Sequence, residues 1–354
     1  MKRRLFFTTM IFWLAIGIAA CSTLGSGEEV IVSQAELDAF NAKIANVVVD
    51  EASFPLTIEH KFGRTEITEL PERIVTVGYS EHDFVLSLGV KPLGVRQWYG
   101  GYQYETWPWA RAALGDAQPE TIGGVRNINF EKIASLEPDL IMGVTSGMTQ
   151  EEYESLSRLA PTVAQPGEYV DFGTPWPEVT RIHGRALGRS DYAEQLIAEI
   201  EASFAEVREA NPGFDGASLA VAFNYNGSPG IYASTDTRPR LLSELGFVTP
   251  EEYDEMAGDS FFASFDEERL ADVLDVDMLI WIASNDREIR QIQRQALRGS
   301  LDAAQEGREL FLGKLLGGAF SFSSPLSLPY LLDELVPMLE VAADGDPETA
   351  VPEP

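Results

Sequence analysis

The stretch Pro71-Glu-Arg-Ile-Val-Thr-Val-Gly-Tyr-Ser-Glu-His-Asp-Phe-Val-Leu-Ser-Leu-Gly89 sets the fold class. Ile74–Val77 is a short apolar run that reads as a buried strand. Ser80–Leu88 follows as a helix closed by Gly89 at its C-terminal end. Leu93–Val95 is the next strand. Further on, Asn129–Leu136 is expected to be helical, Pro138 punctuates it, and Leu140–Met142 is a third strand. Thr149–Leu159 is a further helix and leads to a strand at Pro161-Thr162-Val163. Strands alternating with helices imply a largely parallel sheet. On the N-terminal side, Phe54–His60 alternates, turns near Phe62-Gly63 and resumes at Thr65–Thr68, which predicts a hairpin. Ala35–Val49 could form a helix.

Trp176–Ala210 breaks the alternation. Its apolar residues recur at helical spacing (Ala193, Leu196, Ile197, Ile200, Phe204, Val207) until Asn211-Pro212-Gly213 stops it. Thirty-five helical residues would span about 50 Å, with Gly184 and Gly188 bending the first part. A second α/β run follows: Leu219–Phe223, Thr237–Leu245, Phe265–Val273, Met278–Ile282 and Leu326–Leu339. The expected layout is an N-terminal lobe (54–175), a linker helix (176–212) and a C-terminal lobe (213–340), followed by an acidic, disordered tail (341–354).

The first residues carry an export signature. Lys2, Arg3 and Arg4 precede an apolar segment, Leu5–Ala20, that contains no acid and is short for a membrane span. Residues 1–20 therefore read as a signal peptide. Ile18-Ala19-Ala20-Cys21 resembles a bacterial lipobox, in which the cysteine is diacylated and becomes the new N-terminus. Cys21 is the single cysteine, so no intramolecular disulfide is expected beyond it. Residues 21–53 would hold the lipidated Cys21 and its tether. That places the protein on the extracytoplasmic face of a cell membrane, anchored to lipid through acylated Cys21. The formal charge is −30, and loss of the three basic leader residues takes it to −33. Such a field repels nucleic acid. A chain of 354 residues suits two lobes, and a monomer is expected.

Four stretches in order carry a family resemblance: Pro71–Val77 with His82–Gly94; Asn129–Ile141; Tyr153–Val163; and Ser324-Pro-Leu-Ser-Leu-Pro-Tyr-Leu-Leu-Asp-Glu-Leu-Val-Pro337. From about Phe54 to Leu339 the chain resembles the solute-binding lipoproteins of ABC importers for ferric siderophores, cobalamin and haem. The hairpin and Asp171-Phe-Gly-Thr-Pro-Trp176 are most similar to the ferric-siderophore branch. The resemblance implies an α/β fold of two Rossmann-like lobes, with mostly parallel sheets, joined by one long rigid α-helix. It also implies a ligand in the cleft between the lobes and small hinge motion on binding. The expected function is capture of a ferric siderophore and delivery to a membrane permease, with no enzymatic step and no covalent cofactor. The iron would be held by the siderophore's own oxygens, as suits a hard cation. The alternatives are a haem or cobalamin protein of the same fold, or a ligand sensor for a membrane receptor.

In open α/β sheets ligands bind at the carboxyl ends of the strands, and each candidate residue follows an expected strand. Tyr79 follows the first. Arg96, Trp98 and Tyr99 follow the second, in a segment that also holds Tyr102, Tyr104, Trp107 and Trp109. Aromatic rings beside an arginine suit a large, flat, partly anionic ligand. The alternative for Trp107-Pro-Trp109 is a surface mini-core. Arg126 follows Gly123-Gly124-Val125, and Arg96 and Arg126 are the first choices for binding an anionic ferric complex. In the second lobe the candidates are Asn224, Tyr225, Tyr232, Arg238 and Phe322, with Phe261, Phe262, Ser284, Asn285 and Phe320 near the rim and Trp281 in the core. Permease docking in this family uses one exposed Glu on each lobe. Those positions fall at Gln150-Glu151-Glu152 and Asp266-Glu267-Glu268, with Glu152 and Glu268 favoured.

Direct capture of zinc or manganese needs clustered His and carboxylate ligands. The three histidines, His60, His82 and His183, lie on separate elements. His82 could reach the cleft mouth and ligate haem iron, but a surface or helix-cap role is expected. No G-x-S-x-G, G-x-x-x-x-G-K-[ST], H-E-x-x-H or post-strand G-x-G-x-x-G is present. Ser80, Glu81, His82 and Asp83 bring a hydrolase to mind, yet neighbours on one helical turn cannot converge on one substrate.

Overall fold

The computed structural model describes residues 30–225, 227–283 and 285–349. The leader, Cys21, the first tether residues, Ser284 and residues 350–354 lie outside the described residues. The expected hairpin forms from β1 (Leu56–His60) and β2 (Gly63–Ile67), paired antiparallel from Leu56↔Ile67 to His60↔Gly63. The chain then lays down β3 (Ile74–Thr76), β4 (Gly94–Val95), β5 (Glu120–Thr121), a small hairpin of β6 (Gly123–Gly124) and β7 (Asn127–Ile128), β8 (Leu140–Gly143) and β9 (Thr162–Ala164).

The N-terminal sheet runs β5-β4-β3-β8-β9, parallel at every pairing. β3 and β8 are buried along their whole length. This is why they read as unbroken apolar runs rather than alternating ones, since helices cover both faces.

The second lobe contributes β10 (Leu219–Tyr225), β11 (Ser228–Tyr232), β12 (Phe262–Ser264), β13 (Met278–Ile282) and β14 (Glu309–Leu312). Their order is β12-β11-β10-β13-β14. β10, β13 and β14 are parallel, whereas β11 and β12 add antiparallel on one edge. The fold is α/β with two lobes, as expected. The antiparallel edge was not legible, because Asn224 and Tyr225, which read as loop, pair with Pro229 and Ser228 and leave only a tight return between the strands. The expected helix Phe265–Val273 is a 3₁₀ turn (Glu267–Arg269) running into one α-turn (Leu270–Val273).

The linker departs from the single long helix. Trp176–Ala186 and Ser190–Ala210 are separate helices, broken at Leu187-Gly188-Arg189, where Gly188 takes a left-handed φ of +63°. The 21 residues of the second helix span about 31 Å. Gly184 does not bend a helix here. It lets the two helices touch, since a Cβ at Gly184 would lie 2.5 Å from the Cβ of Ala193. Gly184→Ala should therefore lower stability by about 1–3 kcal/mol, seen as a reduced urea midpoint. An unchanged midpoint would mean that the two helices part freely.

One continuous core passes through both lobes. It takes Phe84, Leu140 and Val163 from the first, Leu196, Ile197, Ile200 and Phe204 from the long helix, and Leu219, Ile280 and Leu335 from the second. Of the expected tail, residues 341–349 are described. Ala342 ends the helix Ser327–Ala342, and the following turns bring Pro347 against Gly307.

Candidate ligand-binding cleft

The ends of four N-terminal strands open onto one cavity between the lobes, about 320 Å³ in volume. β3 delivers Tyr79 and Ser80, β4 delivers Trp98, β8 delivers Val144 and Thr145, and β9 leads to Phe172. The first linker helix supplies Trp176 and Val179 to the wall. The facing wall comes from Asp236-Thr237-Arg238 beyond β11, Phe261 before β12, and Ser321–Ser323 at the end of the helix Lys314–Phe322.

Aromatic rings form a belt around the cavity. Tyr79 lies 5.6 Å from Trp98, which lies 5.4 Å from Phe322. In the other direction Tyr79 meets Phe172 at 5.8 Å, and Phe172 meets Phe261 of the opposite lobe edge-on at 5.7 Å. The belt continues through Phe262 and Phe223 to Tyr232. Phe172 has a left-handed φ of +65°, uncommon for a bulky residue. Its ring lies over Gly147, where a Cβ would come within 2.4 Å of it.

Two arginines stack on rings of the belt, one on Tyr79 and one on Tyr232 at its end. The Arg96 guanidinium sits 4.3 Å from the centre of the Tyr79 ring. It donates to Val77 O at 3.3 Å, Gly124 O at 3.1 Å and Val125 O at 3.0 Å. Arg96 is therefore buried and props Tyr79 and the β6–β7 hairpin; it does not line the cavity. Arg238 lies 3.5 Å above the Tyr232 ring and donates from Nε and Nη2 to Asp236 Oδ1 and Oδ2, both at 2.7 Å. Burial pulls the Arg238 pKa down, but Asp236 and Tyr232 more than offset it, so the group stays charged.

The other expected residues divide clearly. Tyr79, Trp98, Arg238 and Phe322 line the cavity, as does Phe261. Tyr99 sits behind Trp98, edge-on at 4.6 Å, with its hydroxyl near Gly317 O at 3.4 Å. Tyr232 lies beneath Arg238. Arg126 is exposed at the hairpin tip, next to Val125 of the cavity wall. Asn224, Tyr225 and Asn285 belong elsewhere, on a polar groove of about 910 Å³ made wholly by the C-terminal lobe. Tyr225 is 70% exposed there.

The aromatic segment 98–109 turns mostly inward. Trp107 is buried, stacks on Trp109 at 4.9 Å and packs against Gly318 of the other lobe. It cements the lobe junction and leaves only Trp98 to the ligand side. Trp281 and Phe320 are buried, and Trp281 donates to Glu309. Glu152 is half-exposed and accepts from Thr149 N at 2.9 Å in a capping box, while Glu268 is exposed.

The three histidines are all buried. His60 pairs with Thr65, His183 with Glu81, and His82 with Glu105 O. His82 is thus neither a surface residue nor a cavity ligand. Sequence reasoning missed Phe84, Phe172, Trp176, Thr145 and Ser323 as cavity-lining residues. Phe172 and Trp176 had a usable signal, lying just after β9, the fourth strand end to open on the cleft.

A family model described as periplasmic binding protein matches residues 74–314. A curated relative, a probable siderophore-binding lipoprotein of Bacillus subtilis, is 27% identical over 260 residues, covering 69% of this chain and 75% of the relative. Among solved structures, a periplasmic solute binding protein of Mycobacterium smegmatis is 32% identical, with a TM-score of 0.74 and coverage of 81% of this chain and 98% of that one. The Streptococcus pneumoniae protein PiaA in complex with ferrichrome is 26% identical, with a TM-score of 0.71 and coverage of 82% and 99%.

Proposed function

This chain belongs to the periplasmic binding protein family, and from that premise we propose that it is the substrate-binding lipoprotein of an ABC importer, taking a ferric siderophore in its inter-lobe cleft. The observation that carries the reading is the aromatic belt closing across two lobes at the carboxyl ends of four strands. Flat chelate rings and hydrocarbon arms bury well against such faces, while Thr145, Thr174, Thr237, Ser321 and Ser323 form the polar part of the wall, with the Thr145, Ser321 and Ser323 hydroxyls donating to Glu81, Gly317 O and Phe320 O. The protein performs no chemistry on its cargo; it binds and hands over. Acylated Cys21 would tether it to the outer face of the membrane, in keeping with the lipoprotein relatives. Glu152 and Glu268, one on each lobe, would meet arginines of the permease.

Trp98 gives the test. Titrating the purified protein with ferric siderophores, haem and cobalamin should quench tryptophan fluorescence saturably with a siderophore. Trp98→Ala should weaken that binding by about ten- to a hundred-fold, the worth of one stacked aromatic group of roughly 1.5–3 kcal/mol. Quenching by haem or cobalamin alone would keep the family and remove the ferric-siderophore assignment.

A further inference from the structure

Among the described residues, eighteen line the cleft, and two of them carry charge, Asp236 and Arg238. They neutralise each other through two parallel hydrogen bonds of 2.7 Å, with Arg238 nearly buried and Asp236 more so. Arg96, the other arginine at the belt, is turned away onto three backbone carbonyls and the Tyr79 ring. The cavity wall therefore has no net positive charge.

Arg126 stands outside this wall, exposed at the hairpin tip, where solvent and salt screen its charge. Around the whole lies a chain with 56 acids against 26 basic residues. That excess repels an approaching anion over long distances. A multiply charged anion entering the cleft would lose its hydration without gaining a counter-charge, the costliest kind of burial. An uncharged or cationic complex loses little and gains the aromatic faces, which also favour a cation.

We infer that the cargo is a ferric complex without net negative charge, of the tris-hydroxamate class, rather than a tris-catecholate or a polycarboxylate chelate. Charge balance separates these classes. Three hydroxamate groups, each a monoanion, cancel the charge of Fe(III), whereas three catecholate groups leave the complex three units negative. This inference rests on the ferric-siderophore reading above and narrows it.

Calorimetric titration of the full-length protein in detergent tests it, with ferrichrome (neutral), ferrioxamine B (cationic), ferric enterobactin (trianionic) and ferric citrate as probes. The two hydroxamate complexes should bind at least a hundred-fold tighter than the trianion. Their affinity should change less than about three-fold between 50 and 500 mM salt. Equal or tighter binding of ferric enterobactin or ferric citrate would overturn the charge inference and leave the siderophore reading standing. Binding of none of the four would sink both. Asp236→Asn supplies a second readout, because it uncovers the Arg238 charge and an asparagine can still cap Arg238 N, which Asp236 Oδ1 accepts at 2.9 Å. The ratio of trianion to hydroxamate affinity should rise at least ten-fold in this variant. An unchanged ratio would show that the Arg238–Asp236 pair does not set the charge selectivity.

Discussion

Glu81→Ala should lower the stability of the folded protein by about 3–5 kcal/mol, the largest loss expected from any single substitution outside the apolar core. Glu81 and His183 are both completely buried, with His183 Nε2 2.7 Å from Glu81 Oε1. The carboxylate also accepts from Val144 N at 2.9 Å, Thr145 N at 2.7 Å and Thr145 Oγ1 at 2.8 Å. One side chain thus ties the start of the helix Glu81–Ser87 to the end of β8 and to the linker. Removing it orphans two buried N–H groups and an imidazole whose Nδ1 is already engaged with Val179 O at 2.7 Å. Burial alone would raise the Glu81 pKa, but the His183 charge and the Thr145 bonds pull it below the ordinary carboxylate value. Its contribution is then complete above the unfolded carboxylate pKa of about 4.3. It disappears as pH falls through the lower folded value. Urea denaturation at pH 7 and below pH 4 checks both parts, and a loss under about 1 kcal/mol at pH 7 would deny the pair a structural role.

Two residues along the same helix, the direction of titration is reversed. Burial pushes the Asp83 carboxyl up to about 7, although Trp109 Nε1 and Ser324 Oγ donate to it at 2.7 and 2.8 Å. Between about pH 4 and 7 the unfolded chain has released a proton that the folded chain still holds. Asp83 therefore lowers stability as pH rises through that window, and its penalty is complete above it. Burial drives His82 the other way, down to about 4. Between about 4 and the ordinary histidine value near 6.5, the unfolded chain carries a proton that the folded chain lacks, so His82 raises stability with pH. The two slopes oppose each other over the shared range. Asp83→Asn, which keeps an acceptor for Trp109 and Ser324, should expose the His82 slope from about pH 4 to 6.5. At pH 8 it should be more stable than the parent by a few kcal/mol, because each tenfold difference in proton affinity between the folded and unfolded chains is worth about 1.4 kcal/mol. Thermal or urea unfolding across pH reads this directly. A variant less stable than the parent at pH 8 would mean that the ionised carboxylate is a net stabiliser.

These neighbours also mark where sequence reading reaches its limit. Residues Ser80 to Asp83 share one helical turn and so cannot converge on a substrate, and the side chains do diverge. Glu81 points to β8 and the linker, His82 to Glu105 and the Phe322 ring, and Asp83 to Trp109 and Ser324 across the lobe junction. Strand and helix positions near β3, β4, β8 and β10 were legible because fully buried strands leave apolar runs and capping residues mark helix starts. Asn129 and Thr149, where two of the expected helices begin, both cap them. Arginine direction was not legible. Nothing local distinguishes Arg96, which caps carbonyls, from Arg238, which faces the cleft; the difference arises from carbonyls of Val77, Gly124 and Val125 brought together by the sheet. The break at Leu187-Gly188-Arg189 was hidden for a similar reason. Glycine in a helical pattern fits a bend or a stop equally well: Gly184 stays helical and packs on Ala193, whereas Gly188 turns left-handed and ends the helix.

The core that runs unbroken from one lobe through Leu196, Ile197 and Phe204 into the other has a thermodynamic consequence. Prying the lobes apart would hydrate that apolar surface, which opposes a wide opening of the cleft. The heat-capacity change on capture then belongs almost wholly to the rings of the cleft and the ligand laid against them. The permease proposed above would then have little closing movement by which to sense occupancy. It would read instead the surface of the cargo itself, presented at the mouth of the cleft.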